Sequence, residues 1–181
     1  MNERVFFSLG SNQGDRLAHI EAALSRLDRI CRNLTASRIY ETEPMHFFRQ
    51  PAFLNVAAVG LSPLSPLALL RAIKSIERSL GRRRSRQYGP RPIDIDILLY
   101  GERIVHGPRL DIPHPRLEER RFALLPLLEL APRAVNPENG VAYWKMLDRA
   151  DGGVYFHACS RYTMASLRPL LTDPPGYHSR M

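Results

Sequence analysis

The stretch Ile93-Asp94-Ile95-Asp96-Ile97 alternates apolar and acidic residues with a period of two, which is the period of a β-strand and not of a helix. On such a strand the isoleucines share the core face, and Asp94 and Asp96 project together from the other. Two carboxylates that close repel, and burying them unpaired is costly. A hard divalent cation relieves the repulsion, and Mg2+ takes one or two carboxylates together with substrate phosphates. The alternative is an exposed edge strand whose acids pair with nearby arginines, since structural ion pairs also perturb acids.

The charge upstream favours the first reading. The chain carries a formal net charge of +8, and Lys74 and Lys145 are its only lysines. Arg71, Lys74, Arg78, Arg82, Arg83, Arg84, Arg86 and Arg91 face a single acid, Glu77, so this one segment holds nearly all of the excess. Such a field needs an anionic partner: nucleic acid, a membrane surface or a polyphosphate. Phosphoryl transfer depends on charge neutralisation and positioning, and the planar guanidinium fork matches phosphate oxygens. Arg82, Arg84 and Arg91 are therefore candidates to close on a polyphosphate beside Asp94 and Asp96. Arg83 and Arg86 read as solvated surface charges, and Glu77 as the counter-charge that organises the group.

Around this centre the chain reads β-α-β-β-α-β. Strands are expected over Arg4–Leu9, Leu34–Glu41, Ala52–Leu61 and Ile93–Tyr100, and a short one over Arg103–Val105. A first helix follows Asp15, with Leu17, Ile20, Leu24, Leu27 and Cys31 on its apolar face. A second starts at Ser65-Pro66, buries Leu70, Ile73, Glu77 and Leu80, and stops at Gly81. A helical region over Arg116–Leu130 is expected to be interrupted at Pro126. This order predicts an α+β fold, a ferredoxin-like α/β sandwich with helices on one face of a mainly antiparallel sheet. A domain over residues 1–150 is followed by a C-terminal extension, 151–181, with a strand over Val154–Ser160 and a helix over Met164–Leu171.

Phe53 and Asn55 lie two apart on a strand and share a face. An aromatic ring beside an amide suits a flat heterocycle, one stacking and the other reading donors and acceptors. For Phe53 alone, ordinary core is the simpler reading; Asn55 in an apolar strand must find a partner. His114, in Ile112-Pro113-His114-Pro115, sits near Arg109, Arg120 and Phe122, although a lone histidine is more often a packing residue. Gly10-Ser11-Asn12 lacks the P-loop pattern. Cys31 and Cys159, the only cysteines, have neither disulfide nor zinc spacing, and His157 with Cys159 reads as packing rather than as a metal pair. The N-terminus has no secretory pattern and no run approaches a bilayer span, so a cytoplasmic protein is expected.

These residues together resemble the 6-hydroxymethyl-7,8-dihydropterin pyrophosphokinase family of folate biosynthesis, from about Val5 to Pro132. The resemblance rests on Ser8-Leu9-Gly10-Ser11-Asn12, Gln50-Pro51-Ala52-Phe53-Leu54-Asn55 and Glu77-Arg78-Ser79-Leu80-Gly81-Arg82. It continues through Gly89-Pro90-Arg91-Pro92-Ile93-Asp94-Ile95-Asp96, Ile112-Pro113-His114-Pro115 and Arg120-Arg121-Phe122. It implies pyrophosphoryl transfer from ATP, the co-substrate, to the pterin alcohol, releasing AMP. It also implies two Mg2+ ions on Asp94 and Asp96, with Arg82, Arg91 and His114 as further catalytic residues. Lys74, Glu77, Arg84, Tyr88, Arg91, Ile97, Arg109, Leu110, Asp111, His114 and Arg120 would line the ATP site. Thr42, Glu43, Met45, Phe53, Asn55 and Phe122 would hold the pterin. The partners implied are ATP and a dihydropterin, with no nucleic acid and no membrane, for a monomer to which other folate enzymes are candidate neighbours. The chain departs from the family at Glu43 and His46, where proline and glycine are usual, at Phe47-Phe48-Arg49, and at Arg121, where a small residue is common.

An RNA-binding module on a similar sheet is the competing class. Against it stand the missing aromatic run and the two carboxylates, which repel phosphate unless metal is bound.

Overall fold

A computed structural model describes residues 2–44, 50–83, 89–150 and 157–158. The strands are β1 (Glu3–Ser11), β2 (Arg32–Ala36), β3 (Tyr40–Thr42), β4 (Phe53–Ser62), β5 (Asp94–Tyr100) and β6 (His157–Ala158). Helices α1 (Arg16–Asp28), α2 (Pro66–Ser79) and α3 (Arg121–Leu130) accompany them, with a short 3-10 turn at Tyr143–Met146. All strand pairings are antiparallel, in the order β5-β1-β4-β3-β6, and β2 also pairs with β4.

Local chemistry accounts for the helix ends. The Asp15 carboxylate accepts from the Ala18 backbone N–H and caps α1, satisfying a donor the first turn leaves free. Ile20, Ala23, Leu24 and Leu27 recur at helical spacing and are buried. Helix α2 has Pro66 in its first turn, where the missing N–H costs nothing. Its buried face is Leu69, Ile73, Ile76 and Glu77. Leu70 and Leu80, expected on that face, are half-buried at its margin. Gly81 ends the helix at φ +88°, and a Cβ there would meet nothing within 4 Å; the backbone conformation, not crowding, asks for glycine.

The sheet buries both faces. Val5, Phe7, Leu9, Leu54, Val56, Ile93, Ile95 and Ile97 pack under α1 and α2. Phe6, Leu98 and Leu99 lie in a second cluster with Leu117, Ala123, Leu124, Leu127 and Tyr143. A register shift between Phe6 and Phe7 pairs them with Leu99 and Ile97. Leu98 is thus the extra residue of a bulge, so Leu98 and Leu99 both join the second cluster while Tyr100 returns to the first.

Several expectations are corrected. The helices do not all lie on one face, because the apolar α3 covers the side opposite α1 and α2. It starts at Arg121, not Arg116, and continues through Pro126, forfeiting the hydrogen bond that a residue with an N–H would give the Phe122 carbonyl. The strand expected over Leu34–Glu41 is two strands on the same edge of β4. Between them the Ser37 hydroxyl accepts the Ala57 N–H, and the Ser37 N–H reaches the Ala57 carbonyl. Arg103–Val105 reduces to one bridge, Val105 with Ile112. In the C-terminal segment His157 and Ala158 pair with Glu41 and Tyr40; the rest of Val154–Ser160 and the helix expected over Met164–Leu171 lie outside the described residues.

Candidate active site

Register builds the site. Gly10 of β1 stands opposite Asn55 on one side and Asp94 on the other. Ser8 stands in the same way between Ala57 and Asp96. Directly opposed residues of antiparallel strands point to the same face. Asn55, Asp94 and Asp96 therefore share the α3 side of the sheet, away from Ile93, Ile95 and Ile97. A Cβ at Gly10 would sit 3.0 Å from Asn55 Oδ1 and 3.7 Å from Phe53 Cδ1, so glycine makes room for both side chains.

Cations surround the first carboxylate. Arg82 Nη1 donates to both Glu77 and Asp94. Arg91 Nε lies 2.9 Å from Asp94 Oδ2 as an ion pair without an aligned hydrogen bond. The Arg91 guanidinium also lies 5.5 Å from the centre of the Phe53 ring, within range of a cation–π contact. Burial pushes the Asp94 carboxyl up, but Arg91, Arg82 and Lys74 outweigh it and hold the group below the usual carboxylate range. Glu77, 2% exposed, accepts from Lys74 Nζ at 3.0 Å and from the Ile95 N–H at 2.8 Å. Its burial nevertheless prevails over Lys74, that N–H and Arg82, and raises its pKa.

The second carboxylate has looser neighbours. Arg120 Nη1 is 3.6 Å and His114 Nε2 3.8 Å from Asp96 Oδ2. The His114 N–H donates to the Leu98 carbonyl, which holds its loop beside β5. The Arg116 N–H lies 3.1 Å from His114 Nδ1 and Arg120 Nη1 lies 3.2 Å from Nε2, so a donor faces each ring nitrogen, and the neutral ring can accept from one of them. Burial depresses the His114 pKa; Asp96 opposes that shift and Arg120 adds to it. Arg120 in turn lies 5.8 Å from the Phe122 ring centre. The two arms are alike: carboxylate, arginine, phenylalanine.

On the heterocycle side, Asn55 is buried and its Nδ2 donates to Thr42 Oγ1 at 2.8 Å. That bond fixes the amide's orientation and leaves Oδ1 as an acceptor on the Gly10 side. Phe53 and Phe122 are both half-buried, and Glu43 is exposed. The expected Met45, Arg84 and Tyr88 lie outside the described residues, as do His46 and Phe47-Phe48-Arg49.

Other expected residues are placed apart. The Ile97 side chain is in the core under α1 and α2, and Leu110 packs against that same core. The Asp111 carboxylate accepts from the Gly107 N–H at 3.4 Å and lies 3.8 Å from His106. Arg109 is exposed, and no contact among the described residues joins it to Asp94 or Asp96. Arg121 donates to the Leu147 carbonyl, so this departure from the family ties α3 to the segment beyond it.

Two further residues bear on the site: Asn12, which the sequence names only within the Ser8-Leu9-Gly10-Ser11-Asn12 motif and without a role, and Arg16, which it does not single out. Asn12, 1% exposed, contacts both Arg91 and the Gln50-Pro51 segment. Arg16 Nη1 donates at 2.8 Å to Glu41 and to the Ala52 carbonyl. A polar residue ending an apolar strand is the one local signal for Asn12; its partners are 38 and 79 positions away.

The paired carboxylates fit a hard cation: both are on one strand face, Asp94 is held in its anionic form, and oxygen donors suit Mg2+. Among the described residues no helix is long and apolar enough to cross a membrane.

Comparison with known proteins bears on this site. The family described as 7,8-dihydro-6-hydroxymethylpterin-pyrophosphokinase (HPPK) matches residues 6–132. The chain is 44% identical over 153 residues to the mitochondrial folate synthesis bifunctional protein of Arabidopsis thaliana, covering 83% of this chain and 27% of that one. It thus spans about a quarter of that relative's length. The 2-amino-4-hydroxy-6-hydroxymethyldihydropteridine pyrophosphokinase of Aquifex aeolicus is 40% identical over 133 residues, 74% of this chain and 83% of its own. That of Pseudomonas aeruginosa is 41% identical over 134 residues, 73% and 83% respectively. A crystal structure of Plasmodium falciparum HPPK-DHPS shares the fold, with a TM-score of 0.69 and 15% identity over 82% of this chain and 45% of that one.

Proposed function

The chain belongs to the 7,8-dihydro-6-hydroxymethylpterin-pyrophosphokinase family, and from that membership we propose that it transfers pyrophosphate from ATP to 6-hydroxymethyl-7,8-dihydropterin, releasing AMP, as a step of folate synthesis. One observation carries the reading: the row Asn55–Gly10–Asp94 across three neighbouring strands. Two strand spacings separate the amide from the carboxylate by roughly 10 Å, the reach of a two-ring heterocycle plus its hydroxymethyl arm. The heterocycle is read where Asn55 Oδ1 faces, and the phosphates are handled at Asp94 and Asp96.

Each side chain has a part in this reading. Asp94 and Asp96 hold Mg2+, two ions in our proposal, which when bound neutralises and aligns the phosphate oxygens. Arg82 and Arg91, already paired with Asp94, gain phosphate oxygens as further partners when ATP arrives. They then neutralise charge as the pterin oxygen attacks the β-phosphorus in line and the bond to the α-phosphate oxygen breaks. His114 and the Arg120 guanidinium stand on the Asp96 side, where Arg120 supplies donors. Lys74 and Glu77 hold Arg82 at the end of α2. Phe53 and Phe122 flank the pterin ring, with Asn55 and the Thr42–Met45 segment at its edge. Arg84, Tyr88, Arg109, Leu110 and Asp111 belong to the nucleotide end of the proposal, with Ile97 contributing through its backbone.

The strand order supports a ferredoxin-like core with α3 added on the far face. The domain is proposed to run through residue 150, where the second cluster ends at Ala150, with 151–181 as an extension.

The deciding assay measures nucleotide products from ATP and Mg2+ with and without 6-hydroxymethyl-7,8-dihydropterin. Pterin-dependent AMP is expected. ADP would mean transfer of a single phosphoryl group and a different reaction class.

A further inference from the structure

Helix α3 begins without a local cap. Arg120 stands at its N-cap and makes no side-chain bond to the first turn, where a serine or aspartate would hold one of the free N–H groups. Yet this end of the helix carries two residues of the site. Arg120 lies 3.6 Å from Asp96, and the Phe122 ring centre is 5.8 Å from the Arg120 guanidinium. What holds them comes from further along the chain.

The family match ends at residue 132, and the segment 133–150 folds back onto α3. Tyr143 anchors it: the residue is 0% exposed, in the second cluster with Leu117, Leu124 and Leu127. Its N–H donates to the Ala134 carbonyl at 3.0 Å, which closes the segment on itself. From that base two hydrogen bonds reach the start of α3. Asn136, 6% exposed, donates through Nδ2 to Glu118 Oε1 at 2.7 Å, while its Oδ1 accepts the Glu138 N–H at 2.9 Å. Arg121 Nη1 donates to the Leu147 carbonyl at 3.0 Å. An amide engaged through both its oxygen and its nitrogen keeps one orientation. The two ties fall at 118 and 121, on either side of Arg120 and immediately before Phe122.

We propose that Arg121 is a positioning residue that, together with Asn136, uses the segment 133–150 as a brace to set the Phe122 ring against the heterocycle. This role rests on the substrate assignment above. Glu119 is the natural contrast: it is equally close in the chain, but its ion pair with Arg116 at 3.1 Å lies within the loop and does not reach the brace.

Two measurements test it. The first is a steady-state comparison of pterin-dependent AMP formation. A ring that flanks the heterocycle holds it in the ground state and the transition state alike, so displacing the ring raises KM and leaves kcat in place. A chain that is merely less folded has fewer active molecules and loses apparent kcat at unchanged KM. Arg121→Ala should raise KM for the dihydropterin roughly fivefold to tenfold, the scale of one hydrogen bond. Its kcat and its KM for ATP should stay within about twofold of native. Asn136→Ala should act in the same direction, Arg121→Lys should recover most of the loss, and Glu119→Ala should change neither constant. A fall in kcat at unchanged KM for Arg121→Ala, or an equal rise in KM for Glu119→Ala, overturns the proposal. Should Arg121→Ala fail to fold, Asn136→Ala releases the other tie.

The second measurement needs no substrate. The Arg120 N–H is bonded to the Leu117 carbonyl, and those of Ala123 and Leu124 to the Arg120 carbonyl. Amide hydrogen exchange at these three positions should rise in ligand-free Arg121→Ala and stay native in Glu119→Ala. A rise in a chain that makes no pterin-dependent AMP would uphold the brace and sink the substrate assignment. Native exchange in both Arg121→Ala and Asn136→Ala would overturn the brace itself.

Discussion

Asp94 and Asp96 have the same chemistry, lie two residues apart on one strand face, and live in different surroundings. The Asp94 side chain is 18% exposed, held between Arg82 and Arg91 with Lys74 behind them. Asp96 is 35% exposed, with Arg120 and His114 at 3.6 and 3.8 Å. The cations on Asp94 come from the end of α2 and the approach to β5, upstream in the chain. Those on Asp96 come from the segment that follows β5 and leads into α3. Asp94 is thus part of the framework as well as a candidate ligand, while Asp96 has its oxygens less committed. Paired carboxylates need not be equivalent, and the difference is measurable.

The largest expected effect treats the two acids alike. Asp94→Ala and Asp96→Ala should each lower pterin-dependent AMP formation by about 10³-fold, the scale seen when a preorganised charge-stabilising group is removed. An Asp96→Ala enzyme within tenfold of the native rate would break the pair and leave Asp94 as the sole anchor.

Stability should separate them. Asp94→Asn leaves Arg82 and Arg91 without their shared counter-charge and should cost about 1–2 kcal/mol at neutral pH, discounted from the cost of breaking a fully buried pair. Asp96→Asn should fall within about 0.5 kcal/mol. Urea unfolding at pH 7 without divalent ions reads both. The sign with pH follows from linkage. The Asp94 pKa is lower in the folded state, so its contribution is present above the unfolded carboxylate value of about 3.9 and is lost as pH falls through the folded one. A larger cost for Asp96→Asn would reverse the comparison.

How much of this is legible in the sequence differs between the same two arms. The period-two pattern places Ile93, Ile95 and Ile97 in the core and both aspartates on the opposite face, because side-chain alternation is a local property of a strand. Arg82 and Arg91 are legible beside Asp94 because they are near it in the chain. The grouping of His114 and Arg120 on Asp96 depends on a loop held to β5 by the His114 N–H and the Leu98 carbonyl, which no local pattern announces. Asn12 is named in the motif Ser8-Leu9-Gly10-Ser11-Asn12, but its partners, set by tertiary structure, escape a sequence reading for the same reason. The break between β2 and β3 turns on one serine hydroxyl replacing a ladder acceptor. The position of α3 is hidden because a helix apolar on most sides has no marked face, and Pro126 reads locally as a stop.

The smallest effect probes the Asp96 arm through His114. Its pKa is depressed by burial, and the nearby charges are mixed: Asp96 and Asp94 favour the proton, while Arg120 opposes it. Donors from Arg116 and Arg120 face the two ring nitrogens, so a protonated ring, which has no acceptor left, gives up whichever bond the neutral ring accepts. The folded state therefore prefers neutral histidine, and the unfolded chain takes up a proton first, near pH 6.5. Stability from this preference is fully present above that value and is lost as pH falls from it through the lower folded pKa. Glutamine at position 114 cannot titrate. The stability of the native chain relative to His114→Gln should accordingly decrease between pH 7.5 and pH 5.5, in unfolding experiments without divalent ions. The same interval should leave the difference between native and Asp94→Asn nearly unchanged, because that carboxylate stays ionised throughout. A native chain that gained on His114→Gln at the lower pH would mean that Asp96 prevails over burial. The imidazolium would then be a firm partner of Asp96, and the contrast between a tightly held Asp94 and a loosely held Asp96 would fail.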